Sequence, residues 1–350
     1  MSKQQQAELK KRVAPFAKSD TKVGVAQLIN SVLPFFLFWF LAYQSLSVSI
    51  WLTLALAVIA AGFVVRIFII FHDCTHGSFF KSSQANRVVG TFTGIITHFA
   101  FAKWKRSHTM HHATSGNLDK RGTGDIWMMT VDEYIHASFW TRLTYRLYRN
   151  PIVLFGLGPF FLFLVDNRFN KKEAKRKERM NTYFINTSIA VIYALLIWII
   201  GWQAFLIVQI PILFLSGAIG IWLFYVQHQF EDSYFENEEE WDFVKAAVDG
   251  SSYYKLPKVM QWITGNIGFH HVHHLSPRVP NYNLEKTHNN VTPLQQATTI
   301  TLASSLESFR FRVYDEANKK FVSFKEMKNI LRQRKMRRQR NHRTPNYQGR

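Results

Sequence analysis

The chain has 350 residues, a formal net charge of +20 and a composition that is 47% hydrophobic, 15% aromatic and only 19% charged. No zinc-finger or other nucleic-acid-reading motif accompanies the positive charge, and membrane proteins carry such an excess on cytoplasmic loops beside anionic lipid, so nucleic acid is not an expected partner. The single cysteine, Cys74, excludes an intrachain disulfide and any cysteine-based metal cage.

Residues 1–27 read as a cytosolic arm with basic Lys3, Lys10, Lys11 and Arg12. Apolar runs at 28–47 and 51–71 then reach the roughly 20 residues a helical membrane crossing needs, and a soluble core helix rarely stays apolar on every face for so long. Residues 48–50 leave room only for a turn, so the two runs form a tight hairpin. The first run begins late, is long and leads straight into a second, unlike a cleavable signal peptide. Arg66 lies near the end of its run, where its side chain is expected to snorkel to the interface.

"HDCTH" follows at 72–76. The apolar segment 88–101 is short for a crossing, and crossing there would part this run from "HTMHH" at 108–112 by a whole bilayer. An interfacial or re-entrant helix is expected. Segment 151–165 is similarly short and is read as peripheral, with a six-span topology as the alternative. Runs 183–201 and 204–226 make a second hairpin around Trp202 and Gln203, followed by His228 in "YVQHQFED" and the third histidine run, "FHHVHHL", at 269–275.

Basic segments at 1–12, 102–106, 170–179 and 332–340 all fall on one side of this topology, which places both termini and every histidine run in the cytoplasm. The acidic stretch 231–242 reads as a solvated face. From Arg332 onward the basic tail is expected to be disordered. The expected class is an all-α integral membrane protein with two transmembrane hairpins and a cytosolic histidine-rich cap. Its expected division is an arm (1–27), a membrane domain (28–325) and a tail (326–350).

Nine of fourteen histidines fall in the three runs. On helices, His72 and His76 stand at i and i+4, about 40° apart. His108, His111 and His112 occupy an arc of roughly 100°, as do His270, His273 and His274, while His271 falls outside its arc. His98, His136, His288 and His342 lie outside the constellation. Eight in-arc imidazoles exceed the four to six ligands of one ordinary centre, so two metals are expected, with His228 as a ninth candidate. Zinc and iron both accept imidazole, and only iron does oxygen chemistry. The residues alone leave oxidation of a lipid and metal transport both open, although the spans hold almost no ionisable groups of the kind a transporter places at the midplane.

At these residues the sequence closely resembles the membrane fatty-acid desaturases, in particular the Bacillus-type acyl-lipid enzymes. The family pattern of HxxxH, HxxHH and HxxHH corresponds to His72 and His76, to His108, His111 and His112, and to His270, His273 and His274. "HHLSPRVPNYNL" at 273–284 extends the likeness, which covers roughly 20–325. The resemblance implies that these residues hold two iron ions and carry catalysis, adds His228 as a further ligand after the last span, and suggests Asn266 for an Asn-bound site and Asp73 as a partner orienting an imidazole. It implies dioxygen as co-substrate and phospholipid acyl chains as substrate, with a cis double bond at Δ5. Hydroxylation or carotenoid oxidation by the same class is the alternative. No cytochrome domain, Rossmann fingerprint or iron–sulfur cysteines are visible, so electrons are expected from a ferredoxin or flavodoxin, steered by the basic segments.

Overall fold

The computed structural model describes residues 1–341. Helices α1 (Thr21–Gln44) and α2 (Ile50–His76) form the first hairpin through a single turn, Ser45–Ser47. Helices α3 (Ser83–Thr97) and α4 (Phe101–Thr114) follow, and α5 (Arg176–Ile200) and α6 (Trp202–His228) form the second hairpin, turning at Gly201 with φ +82°. The cap carries α7 (His270–Leu275) and α8 (Asn281–Asn290). Four helices, α1, α2, α5 and α6, are long and apolar enough to cross a membrane.

Helices α1 and α5 begin seven residues before the apolar runs that mark them, and α2 and α6 extend past theirs at both ends. Helix α2 continues through the first histidine run because nothing in "HDCTH" stops it until Gly77, which takes the left-handed φ of +69° that glycine tolerates at a helix end. Likewise α6 ends on His228 itself, not two residues before it. Small residues Ala57, Ala60 and Ala61 on α2 let neighbours approach closely, and they are buried with Val32 and Phe35 of α1 and Val208 and Ile212 of α6. The outer faces are the reverse of a soluble protein: Trp198 on α5 is 81% exposed, beside exposed Ile199, Leu195 and Phe184. Only lipid contact removes the cost of so continuous an apolar surface.

The 88–101 segment is not among the helices long and apolar enough to cross a membrane. Helix α3 runs antiparallel to α2, with Gly90 against Cys74 and Gly94 against Phe71. The chain reverses at His98, which takes φ +66°, and α4 returns beside the same helix. Its Trp104 meets Phe71 and His72. A Cβ at Gly90 would lie 2.3 Å from the Phe101 ring, so the close packing of this re-entrant pair requires glycine there. The consequence is that both ends of the excursion, His76 and His112, finish at the same level.

Segment 151–165 belongs to a bent helical pair, Phe139–Tyr148 and Ile152–Arg168, which turn 65° to one another and are long and apolar enough only together to make one broken span or a re-entrant loop. Two short sheets brace the cap: Tyr253–Lys255 pairs in parallel with Thr299–Thr301, and Val313–Asp315 antiparallel with Lys320–Val322. Under α7 and α8 lies an apolar core of Val226, Tyr254, Phe269, Val272, Leu284 and Leu294. The expected disorder from Arg332 does not hold over the described residues, where Phe324–Asn341 is helical. Ser323 and Glu326 cap its start reciprocally, and Arg334 pairs with Asp315 at 3.0 Å and Asp132 at 3.1 Å. Positions 342–350, including His342, lie outside the described residues.

Candidate metal centre

Four helix ends converge. The first histidine run closes α2, the second closes α4, His228 is the last residue of α6, and the third run is α7 itself. The helical phase expected from sequence holds at each place. His72, His76, His108, His112 and His273 each offer a ring nitrogen within 4.8 Å of the others, and His111, His228 and His274 form a second such group. His270 joins the second group through His228, with the two Nε2 atoms 3.0 Å apart and its ring 4.6 Å from that of His274. The groups adjoin: the rings of His112 and His274 stack at 4.2 Å. All nine site histidines expected from sequence are therefore brought together, and all but the partly covered His76 are buried.

Hydrogen bonding does not account for this arrangement. Nε2 of His108 lies 3.0 Å from Nε2 of both His72 and His112, and His112 Nε2 is also 3.0 Å from His273 Nε2. A ring nitrogen offers one hydrogen or one lone pair, so neither central atom satisfies two neighbours. A shared cation does, because bonds of roughly 2.0–2.1 Å at right angles set adjacent nitrogens about 3.0 Å apart. The buried Nε2 atoms of His76 and His274 also have no hydrogen-bond partner among the described residues. Burial, then the neighbouring imidazoles, push His108, His112, His270, His273 and His274 well below the ordinary histidine pKa. They are therefore neutral at pH 7, the form in which imidazole binds a metal. The residues present fit metal ions, and an all-imidazole set suits iron, zinc, copper or nickel.

Three of the opposite ring nitrogens are held from outside, whereas Nδ1 of His112, His270 and His273 has no hydrogen-bond partner among the described residues. His72 Nδ1 meets Asp73 Oδ1 at 2.9 Å, and Asp73 Oδ2 accepts from the main-chain N–H of Asn281 at 2.6 Å and its side chain at 2.9 Å. His228 Nδ1 lies 3.3 Å from the Gly250 carbonyl. His111 Nδ1 meets Asp125 Oδ1, a residue the sequence reading missed. Burial raises the Asp125 carboxyl, but its hydrogen bonds with His111 and the Gly122 N–H leave it below its usual range. Trp104 stacks on His108 with ring centroids 4.1 Å apart.

Other histidines stand apart. His271 bonds His288 at 3.1 Å, His98 bonds the Tyr193 hydroxyl at 2.8 Å, and exposed His136 bonds its own helix. Asn266 is engaged by Gln261 and by the Asn281 carbonyl and belongs to neither histidine group.

The sequence model described as "Fatty acid desaturase" matches residues 49–303. The chain is 61% identical over 325 residues to the fatty acid desaturase of Bacillus subtilis (strain 168), covering 93% of this chain and 92% of that one. It is 26% identical to the chloroplastic omega-6 fatty acid desaturase of Arabidopsis thaliana, matching 65% of this chain and half of the plant protein. With the sn-1 oleoyl-lipid 12-desaturase of Synechocystis it shares 25% identity over 64% of each chain.

Proposed function

As the chain belongs to the fatty acid desaturase family, we propose that it is an oxygen-dependent di-iron enzyme that introduces a cis double bond, at Δ5, into the acyl chains of membrane phospholipids. The observation that carries this reading is the pair of adjoining, carboxylate-free histidine groups at the ends of membrane helices. His72, His76, His108, His112 and His273 would hold one iron, and His111, His228, His270 and His274 the other. What bound iron supplies is reductive activation of dioxygen, the only route to hydrogen on two adjacent unactivated methylenes, which no side-chain acid or base removes.

The chain's own residues supply the setting for that chemistry. Asp73 and Asp125 each take an Nδ1–H, fixing ring orientation and leaving Nε2 to face the metal. Trp104 packs against His72 and His108 and is backed by Phe71, which meets Phe99, giving the rings an apolar wall on that side. In the proposed orientation the histidine groups and both termini face the cytoplasm, with residues 1–27 as an arm, 28–325 as the desaturase domain and 326–350 as a basic tail. Two electrons per turnover come from a ferredoxin or flavodoxin. Lys103 and Arg106 are partly committed to Asp166 and Glu178, so exposed Lys105, Lys171, Lys172, Lys175 and Lys177 are the residues that steer an acidic donor.

Product analysis tests the proposal. Lipids from cells expressing the protein should gain monounsaturated chains with the bond at Δ5. Hydroxylated chains with no new double bonds would assign another outcome of the same chemistry, and metal uptake with unchanged lipids would assign a transporter.

A further inference from the structure

Arg66 does not reach open interface. It is 6% exposed, its Nε donates to Ser31 Oγ at 3.1 Å, an Nη donates to the Trp262 carbonyl, and its guanidinium lies 3.8 Å from the centre of the Trp262 ring. Among the described residues no carboxylate lies within ion-pair distance, and its remaining N–H groups have no protein acceptor. A buried cation without a counter-charge is costly, and here it borders a cavity of about 240 Å³ lined also by Gln27, Asn30, Trp262, Asn266 and Asn281. The rim is apolar and exposed, with Val23 and Trp262 each 42% exposed and Val259 on the same short helix as Trp262 71% exposed. Such an exposed apolar rim suits contact with lipid.

We propose that this cavity binds the phosphate of the phospholipid whose acyl chain is desaturated, with Arg66 as its charge partner; the proposal rests on the phospholipid reading above. Arg66 and His72 share α2 six residues apart, roughly 9 Å along the axis. Asn281 lines the cavity and also donates twice to Asp73, the partner of His72. The headgroup site and the metal site are thus built on one rigid helix and one shared residue. A phosphate held there fixes the reach of the acyl chain, which is what selects a carbon near the carboxyl end. Guanidinium matches phosphate in a way an ammonium does not, and Asn30 is a further donor with no acceptor of its own among the described residues.

The test uses the purified, iron-loaded full chain, supplied with dioxygen and a reduced ferredoxin or flavodoxin, in bilayers of phosphatidylglycerol or of a diglycosyl glycerolipid with identical acyl chains. Both desaturation and lipid retained after detergent washing are measured. Wild type should favour the phospholipid by about tenfold, the worth of a charge-assisted hydrogen bond. Arg66→Gln should lose that preference and scatter the double-bond position, with its glycolipid rate and iron content unchanged, and Arg66→Lys should recover part of it. An equal fall on both lipids, or an intact preference in Arg66→Gln, would overturn the proposal. Lipid-free protein should retain inorganic phosphate at millimolar concentration no better than Arg66→Gln does; Arg66-dependent retention of inorganic phosphate with no preference between the two lipids would assign the site to a free anion and overturn the lipid assignment. If wild type forms no double bond in any lipid, the desaturase reading fails, while lipid retention still decides the role of Arg66.

Discussion

Asp125 Oδ1 lies 2.5 Å from Nδ1 of His111, and its other oxygen accepts the Gly122 N–H at 2.9 Å. The carboxylate is fixed from one side and orients an imidazole on the other, so it sets which ring nitrogen of His111 is free to bind metal. Asp125→Asn should therefore lower metal affinity about 10–100-fold while leaving helical content unchanged. Metal titration of the stripped variant, followed by circular dichroism, checks both halves. Unaltered affinity would reduce Asp125 to a loop anchor.

Asn281 plays the corresponding part for Asp73, and additionally accepts from Gln27 at 2.9 Å. Asn281→Ala should cost about 1–3 kcal/mol, the penalty of leaving buried partners unsatisfied. Thermal unfolding of the detergent-solubilised protein measures the loss, and it should be larger in the metal-loaded form than in the stripped one.

Helix phase separates His271 from its neighbours. His273 points into the five-histidine group, whereas His271 turns away to His288. His273→Ala should abolish double-bond formation and bound metal, and His271→Ala should retain more of both. Matched expression and lipid fatty-acid profiles give the comparison, with exposed His136→Ala as the unaffected control. Equal losses at 271 and 273 would mean that the cap, not the ligand set, is being measured.

Acid should release the metal and weaken the fold together. His108, His112, His270, His273 and His274 are held well below 6.5, mainly by burial. The unfolded chain therefore binds more protons than the folded one as pH drops past about 6.5. Stability is fully present above that value and is lost progressively as pH falls toward the depressed folded values. The unfolding temperature of stripped protein should be flat from pH 8 to 7 and decline below about 6.5.

The histidine clustering was legible because imidazoles three and four residues apart share a helix face, and the structure places His72 with His76, and His108 with His112, on such faces. The short helix marked by the 88–101 run was legible from the length of that run, and the structure brings the two histidine runs that flank it together. Asp125 was not, because it reaches His111 across a loop with no fixed spacing. Nor was Asn281, whose contact with Asp73 joins residues 208 apart. Arg66 was read from its place in a span as a snorkelling residue, and only packing reveals Ser31 and Trp262 around it. The tail helix was read as disorder from its charge, although Ser323 and Glu326 form a local capping pair; the Arg334 pairs with Asp315 and Asp132 join it to distant parts of the chain and were not legible.

The central claim is that the two adjoining imidazole groups hold two irons. Elemental analysis of protein purified after iron-replete expression, with Mössbauer spectroscopy of the same sample, tests it most directly. The account predicts two irons per chain in nitrogen-rich sites, lost in His273→Ala. One zinc per chain with no iron would contradict it.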